Sequence, residues 1–117
     1  MRVVVHSVRF PDLEEQGPPE DPAVTAQLVE IYAGPSDGPG EERFQATVCT
    51  PAALSRMLAK QDVVVGRHWL FVDQFDAGRV EHFLRRLIQN VEGASWSEVA
   101  AKVGRLAQHE FEDYPAE

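Results

Sequence analysis

Between Asp76 and Val91 the apolar residues Val80, Phe83, Leu84, Leu87, Ile88 and Val91 recur at intervals of three and four, with Arg79, His82, Arg85, Arg86 and Gln89 between them. That spacing gathers the apolar side chains into one stripe along an α-helix. A helix with one apolar stripe cannot bury it alone, so the chain must supply a second layer for it to cover.

The N-terminal half reads as that layer. Arg2 to Phe10 is valine-rich and free of Gly and Pro, which predicts a first strand with Val4, Val8 and Phe10 on one face and Val3 and Val5 on the other. His6 falls among the apolar residues of the first face. A second strand is expected from Ala23 to Ala33, where the alternation shifts phase between Leu28 and Val29 and suggests a bulge. The turn cluster Gly34 to Gly40 leads into a third strand, Arg43 to Cys49, with Phe44, Ala46 and Val48 on one face. Between the first two strands, residues 11–22 hold Pro11, Gly17, Pro18, Pro19, Pro22 and five carboxylates, and read as a solvated loop rather than a helix or strand.

Thr50 and Pro51 form a helix start, with an N-cap hydroxyl followed by a proline at the first helical position. Leu54, Met57 and Leu58 follow at helical spacing. Val63 to Phe71 returns to β character, and the run His68 to Val72 is apolar enough for a central strand. Ser95 with Glu98 three residues later makes a capping box that opens a last helix, burying Trp96, Val99, Ala100, Val103 and Leu106. His109 to Glu117 forms an acidic-aromatic tail. The expected order is β-β-β-α-β-α-α: one α+β domain over 1–117, a mainly antiparallel four-stranded sheet with helices on one face.

Charge narrows the partners. Asp and Glu number 19 against 11 Lys and Arg, a net charge of −8. The excess is segregated, with nine acids and no Lys or Arg from Phe10 to Glu42, and four acids and no Lys or Arg from His109 to Glu117. Phosphate backbones are bound by cations, so this balance speaks against nucleic acid and anionic membranes as direct partners and favours a basic protein. The single cysteine, Cys49, cannot form an intramolecular disulfide, and no signal peptide or membrane-spanning stretch is present, which makes the cytoplasm the expected compartment.

Catalytic patterns are missing. The histidines His6, His68, His82 and His109 stand far apart, no metal-ligand spacing occurs, and the Gly34 to Gly40 segment is interrupted by prolines that remove phosphate-binding amides. Cys49 lacks any local nucleophile motif. Neither a metal nor a cofactor is expected, and the paired carboxylates Glu14-Glu15 and Glu41-Glu42 read as solvated loop residues.

Four segments occur in a recognisable order: V-C-T-P at Val48 to Pro51, G-R-H-W-L-F-V at Gly66 to Val72, S-W-S-E-V-A at Ser95 to Ala100, and E-F-E-D-Y at Glu110 to Tyr114. Together they resemble the immunity protein 8 family of bacterial polymorphic toxin systems, over roughly Phe44 to Tyr114. The resemblance implies a cytoplasmic antidote, not an enzyme, that binds a cognate polymorphic or contact-dependent toxin domain and occludes its active site; charge makes a nuclease the expected target. Pro51, Ser95, Trp96 and Glu98 are readable as fold residues. The candidate toxin contacts are therefore the acids and aromatics outside them: Glu110, Phe111, Glu112, Asp113 and Tyr114, with Asp73 and Asp76 after the fourth strand. Two other classes are separable by structure. A subunit of a larger assembly should expose a broad apolar patch, and a small-molecule-binding domain or small enzyme should show converging titratable groups in a deep cavity.

Overall fold

The computed structural model describes residues 1–111, which form an α+β fold built on a five-stranded sheet. Strand β1 (Val3–Arg9) pairs antiparallel with β2 (Ala26–Pro35), and β2 pairs antiparallel with β3 (Glu42–Cys49), the expected meander. Val29, Ile31 and Ala33 of β2 and Phe44, Ala46 and Val48 of β3 are buried on one face. The opposite face carries the half-buried Leu28, Glu30, Tyr32, Arg43, Gln45 and Thr47. At the end of β2, a Cβ on Gly34 would collide with the backbone of Gly40, so the chain can close on itself there only because residue 34 has no side chain.

Several sequence expectations change, and the sheet has five strands where four were expected. The bulge lies in β1 and not in β2: the β2–β3 register runs unbroken from Ala26–Cys49 to Ala33–Glu42, whereas the β1–β2 register shifts between Val5 and Ser7. One extra residue, His6, reverses the alternation, so Val3 and Val5 share the core face with Val8 and Phe10, and Val4 turns outward. The phase shift in the sequence of β2 reflects a half-buried Leu28 on the open face instead.

The second change lies in the acidic connection, where Pro11–Gln16 forms a short helix, α1. Pro11 occupies the first turn, Asp12 and Glu14 sit at the positive end of the helix, and Gly17 closes it at φ 81°. Arg9 clamps Glu14 with two hydrogen bonds, Nε to Oε1 at 3.1 Å and Nη2 to Oε2 at 2.7 Å. These bonds hold the Glu14 carboxyl below its ordinary range, so this acid is paired and not simply solvated.

Third, the expected central strand is a three-residue edge strand. β4 (Trp69–Phe71) pairs parallel with β3, and Val63 and Val65 lie in the exposed connection before it, 72% and 76% accessible.

Helices α3 (Ala77–Gln89) and α4 (Trp96–Val103) cover the core face. Val80, Leu84 and Ile88 of α3 are buried with Val99, Ala100 and Val103 of α4. Phe83 and Leu87, expected in the same stripe, remain 55% and 42% exposed because the stripe is wider than the sheet surface beneath it. Arg85 also departs from the solvent side. Its Nη1 donates to the Val5 carbonyl at 2.8 Å, and Gln89 Oε1 accepts from the Val5 N–H at 3.3 Å, so α3 satisfies the outer backbone of edge strand β1 beside the bulge.

Helix α2 (Pro51–Leu58) is tied to the sheet through Thr50, which is fully buried. Thr50 Oγ1 accepts from the N–H groups of Thr25 at 3.1 Å and Ala53 at 3.3 Å, and donates to the Thr25 carbonyl at 3.3 Å. One hydroxyl thus uses its full bonding capacity to join the start of β2 to the start of α2. Thr50→Val keeps the shape and strands two buried donors, so it should lower unfolding stability by about 2–4 kcal/mol in urea titrations, while Thr50→Ser should cost less than about 1 kcal/mol.

Candidate functional site

The outer edge of β3 is shared by two short strands from distant parts of the chain. β4 lies beside Thr47 to Cys49, and β5 (Gln108–His109) lies antiparallel beside Gln45 and Phe44, continued by a bond from the Glu110 N–H to the Arg43 carbonyl at 2.9 Å. At about 3.3 Å per residue, the sites beside Arg43 and beyond Cys49 stand roughly 20 Å apart. Glu110 and Phe111 therefore mark one end of this edge, and Asp73 and Asp76 the other. Glu112, Asp113 and Tyr114, the remaining candidate contacts, lie outside the described residues.

At the first end, aromatic rings stack outward from the core. His109 packs on Phe44 with centroids 4.8 Å apart, and Phe111 meets His109 edge-on at 5.3 Å while 49% exposed. Glu42 anchors this end. Its Oε2 accepts from Trp96 Nε1 at 2.5 Å and lies 3.1 Å from His109 Nε2, close enough for charge pairing but off the hydrogen-bonding direction. The sequence alone placed Glu42 with its neighbour Glu41 as a solvated pair. Its role could have been suspected only from its position on the core face two residues before Phe44.

Trp96, Glu42, His68, His109, Arg67 and Arg105 border an open cleft of about 770 Å³. His68 adopts φ 61°, a left-handed conformation rare for a residue with a side chain, as the chain turns into β4. Its Nε2 donates to the Gly104 carbonyl at 2.8 Å and fixes α4 against the sheet edge. Both imidazoles here are engaged in holding elements together. Cys49 is remote from this chemistry: it is buried, its Sγ donates to the Thr50 carbonyl at 3.3 Å, and burial pushes its thiol pKa up, away from a reactive thiolate. Among the described residues no group of three or more His, Cys, Asp and Glu is placed to hold a metal ion, and no helix is long and apolar enough to cross a membrane.

At the other end Asp73 and Asp76 flank Phe75, which is buried against Phe10 edge-on at 5.3 Å. Asp76 caps α3, with Oδ1 accepting from the Arg79 N–H at 3.1 Å, and Asp73 Oδ1 accepts from the Gln74 N–H at 2.8 Å. Both carboxylates remain exposed. The structure thus splits the candidate residues into two acidic ends of one sheet edge, each with an exposed phenylalanine close by.

A family profile described as Immunity protein 8 matches residues 3–114, nearly the whole chain. The chain belongs to the immunity protein 8 family. No match was found among curated proteins or among solved structures. In this immunity-family chain the V-C-T-P and S-W-S-E segments do structural work: Thr50 caps α2, Ser95 caps α4, and Trp96 reaches Glu42.

The capping box should also give the start of α4 a dependence on pH. Ser95 Oγ accepts from the Glu98 N–H at 3.2 Å, and Glu98 Oε2 accepts from the Ala94 N–H at 3.1 Å. That backbone bond, and then Lys102, hold the Glu98 carboxyl below its ordinary range. A depressed carboxyl stabilises the fold fully above its unfolded value and loses that contribution as pH falls through the folded one. Thermal unfolding should show wild type more stable than Glu98→Gln near neutral pH, with the gap closing toward about pH 3. A gap independent of pH would contradict this assignment.

Proposed function

We propose that this protein is a cytoplasmic immunity protein that neutralises its cognate toxin domain by binding it across the β4–β5 sheet edge and blocking access to the active site. Family membership carries the reading, and the placement of Glu110 and Phe111, Asp73 and Asp76 along one edge supports it. With a net charge of −8, the natural target surface is basic, as in a nuclease that must hold a polyanion. Carboxylates at both ends of the edge would speed association by steering, and exposed aromatics would supply the buried contacts that slow dissociation. Glu112, Asp113 and Tyr114, outside the described residues, are proposed as further toxin contacts. The protein acts in this account by occupancy, without chemistry of its own.

Co-expression with the toxin domain encoded beside it should restore growth, and calorimetry on the purified pair should give 1:1 binding that weakens as salt rises. Failure to rescue and failure to bind, with both proteins folded, would reject the reading. Binding that is tight but insensitive to salt would retain the immunity role and reject the basic target.

A further inference from the structure

Three of the six phenylalanines are exposed: Phe71, Phe83 and Phe111. Two of them border one groove. Between β4 and the first turns of α3 lies a depression of about 470 Å³, lined by Leu70, Phe71, Val72, Val80 and Phe83, with Asp73, Asp76 and Arg79 on its rim. Phe71 and Phe83 are each 55% accessible, although Leu70 and Val72 beside them pack against the core. The ring of Phe71 lies beside Trp69, centroids 6.2 Å apart, which extends the apolar surface onto the open face of β4. The groove floor is thus continuous with the core, and two half-exposed phenylalanines border it.

An isolated exposed phenylalanine is ordinary, but two on one concave surface match the composition of a binding hot spot: aromatic anchors around a pocket, with charge at the rim. The rim selects the occupant. Asp73 and Asp76 use one oxygen each to cap neighbouring N–H groups, and Asp76 lies 3.9 Å from the Arg79 guanidinium, whose side chain is 86% exposed. A contact so long and so exposed to water neutralises little. Two carboxylates against one arginine leave the rim net acidic, which favours incoming cations at Asp73 and Asp76.

We propose that this groove receives an apolar side chain of the toxin, flanked by lysine or arginine residues that meet Asp73 and Asp76. The assignment rests on the immunity reading above and locates the energetic centre of the interface at the β4 end of the sheet edge.

The test is binding of Phe71→Ala, Phe83→Ala and Asp73→Asn to the purified toxin domain, with Leu58→Ala and Val4→Ala as controls. The control side chains are 46% and 36% exposed and lie outside the groove. Circular dichroism and thermal unfolding establish that each variant folds. Each phenylalanine variant should weaken binding by roughly 30-fold or more, and Asp73→Asn should slow association and flatten its salt dependence, while the controls stay within about threefold of wild type. Wild-type binding that survives both phenylalanine substitutions would overturn the groove assignment and leave the immunity role standing. Absence of wild-type binding would overturn both. Sedimentation showing a dimer that Phe83→Ala converts to monomer would assign the groove to a second copy of this chain and overturn the toxin assignment.

Discussion

Phe44, Ala46 and Val48 give one face of β3 to the core, and both edges of the strand are hydrogen-bonded, one by β2 along nearly its whole length and the other by β4 and β5 in turn. The shared edge governs the rest of the structure. β4 arrives after α2 and β5 shortly after α4, so closing this edge also positions the end of α4 against the sheet. Glu42 completes the arrangement at one end of β3 by binding Trp96 of α4, and Thr50 completes it at the other by joining β2 to α2. Strand pairing, capping and the aromatic stack on Phe44 are thus consequences of one strand that carries partners on both sides.

Surface chemistry follows from the same arrangement. Edge strands this short leave little backbone for unwanted pairing, a common protection against aggregation. They also expose the side chains at their ends, where Phe71, Phe83 and Phe111 lie beside acids. Of these, Phe71 and Phe83 border the β4–α3 groove, which is concave and continuous with the core. That combination is the basis for proposing a docking surface there.

Local sequence is enough to read the meander, the buried part of the α3 stripe and the caps of α2 and α4, because each is encoded within a few residues: Val80, Leu84 and Ile88, Thr50-Pro51, and Ser95 with Glu98. The misreadings arose where a distant partner decides. The β1 bulge depends on pairing with β2, and the reach of α3 over that strand turns Arg85 and Gln89 inward. Helix α1 was hidden by its prolines and glycine, which here start and stop a helix instead of forbidding one. β4 was read as central because its residues are apolar, yet that apolar character serves an edge groove. Of the candidate site, the acids and Phe111 stand out in the composition alone. Their separation into two ends, and the parts of Glu42 and Phe83, needed the register of β3.

Hydrogen exchange of the protein, free and saturated with its toxin domain, would locate the bound surface. A toxin bound across the shared edge should bring new protection confined to peptides spanning residues 69–87 and 108–111, the two ends of the shared β3 edge and the adjoining helix, with the β2–β3 turn at residues 36–41 unchanged. Protection concentrated on that turn and on β1, with the 69–87 segment unaltered, would contradict it.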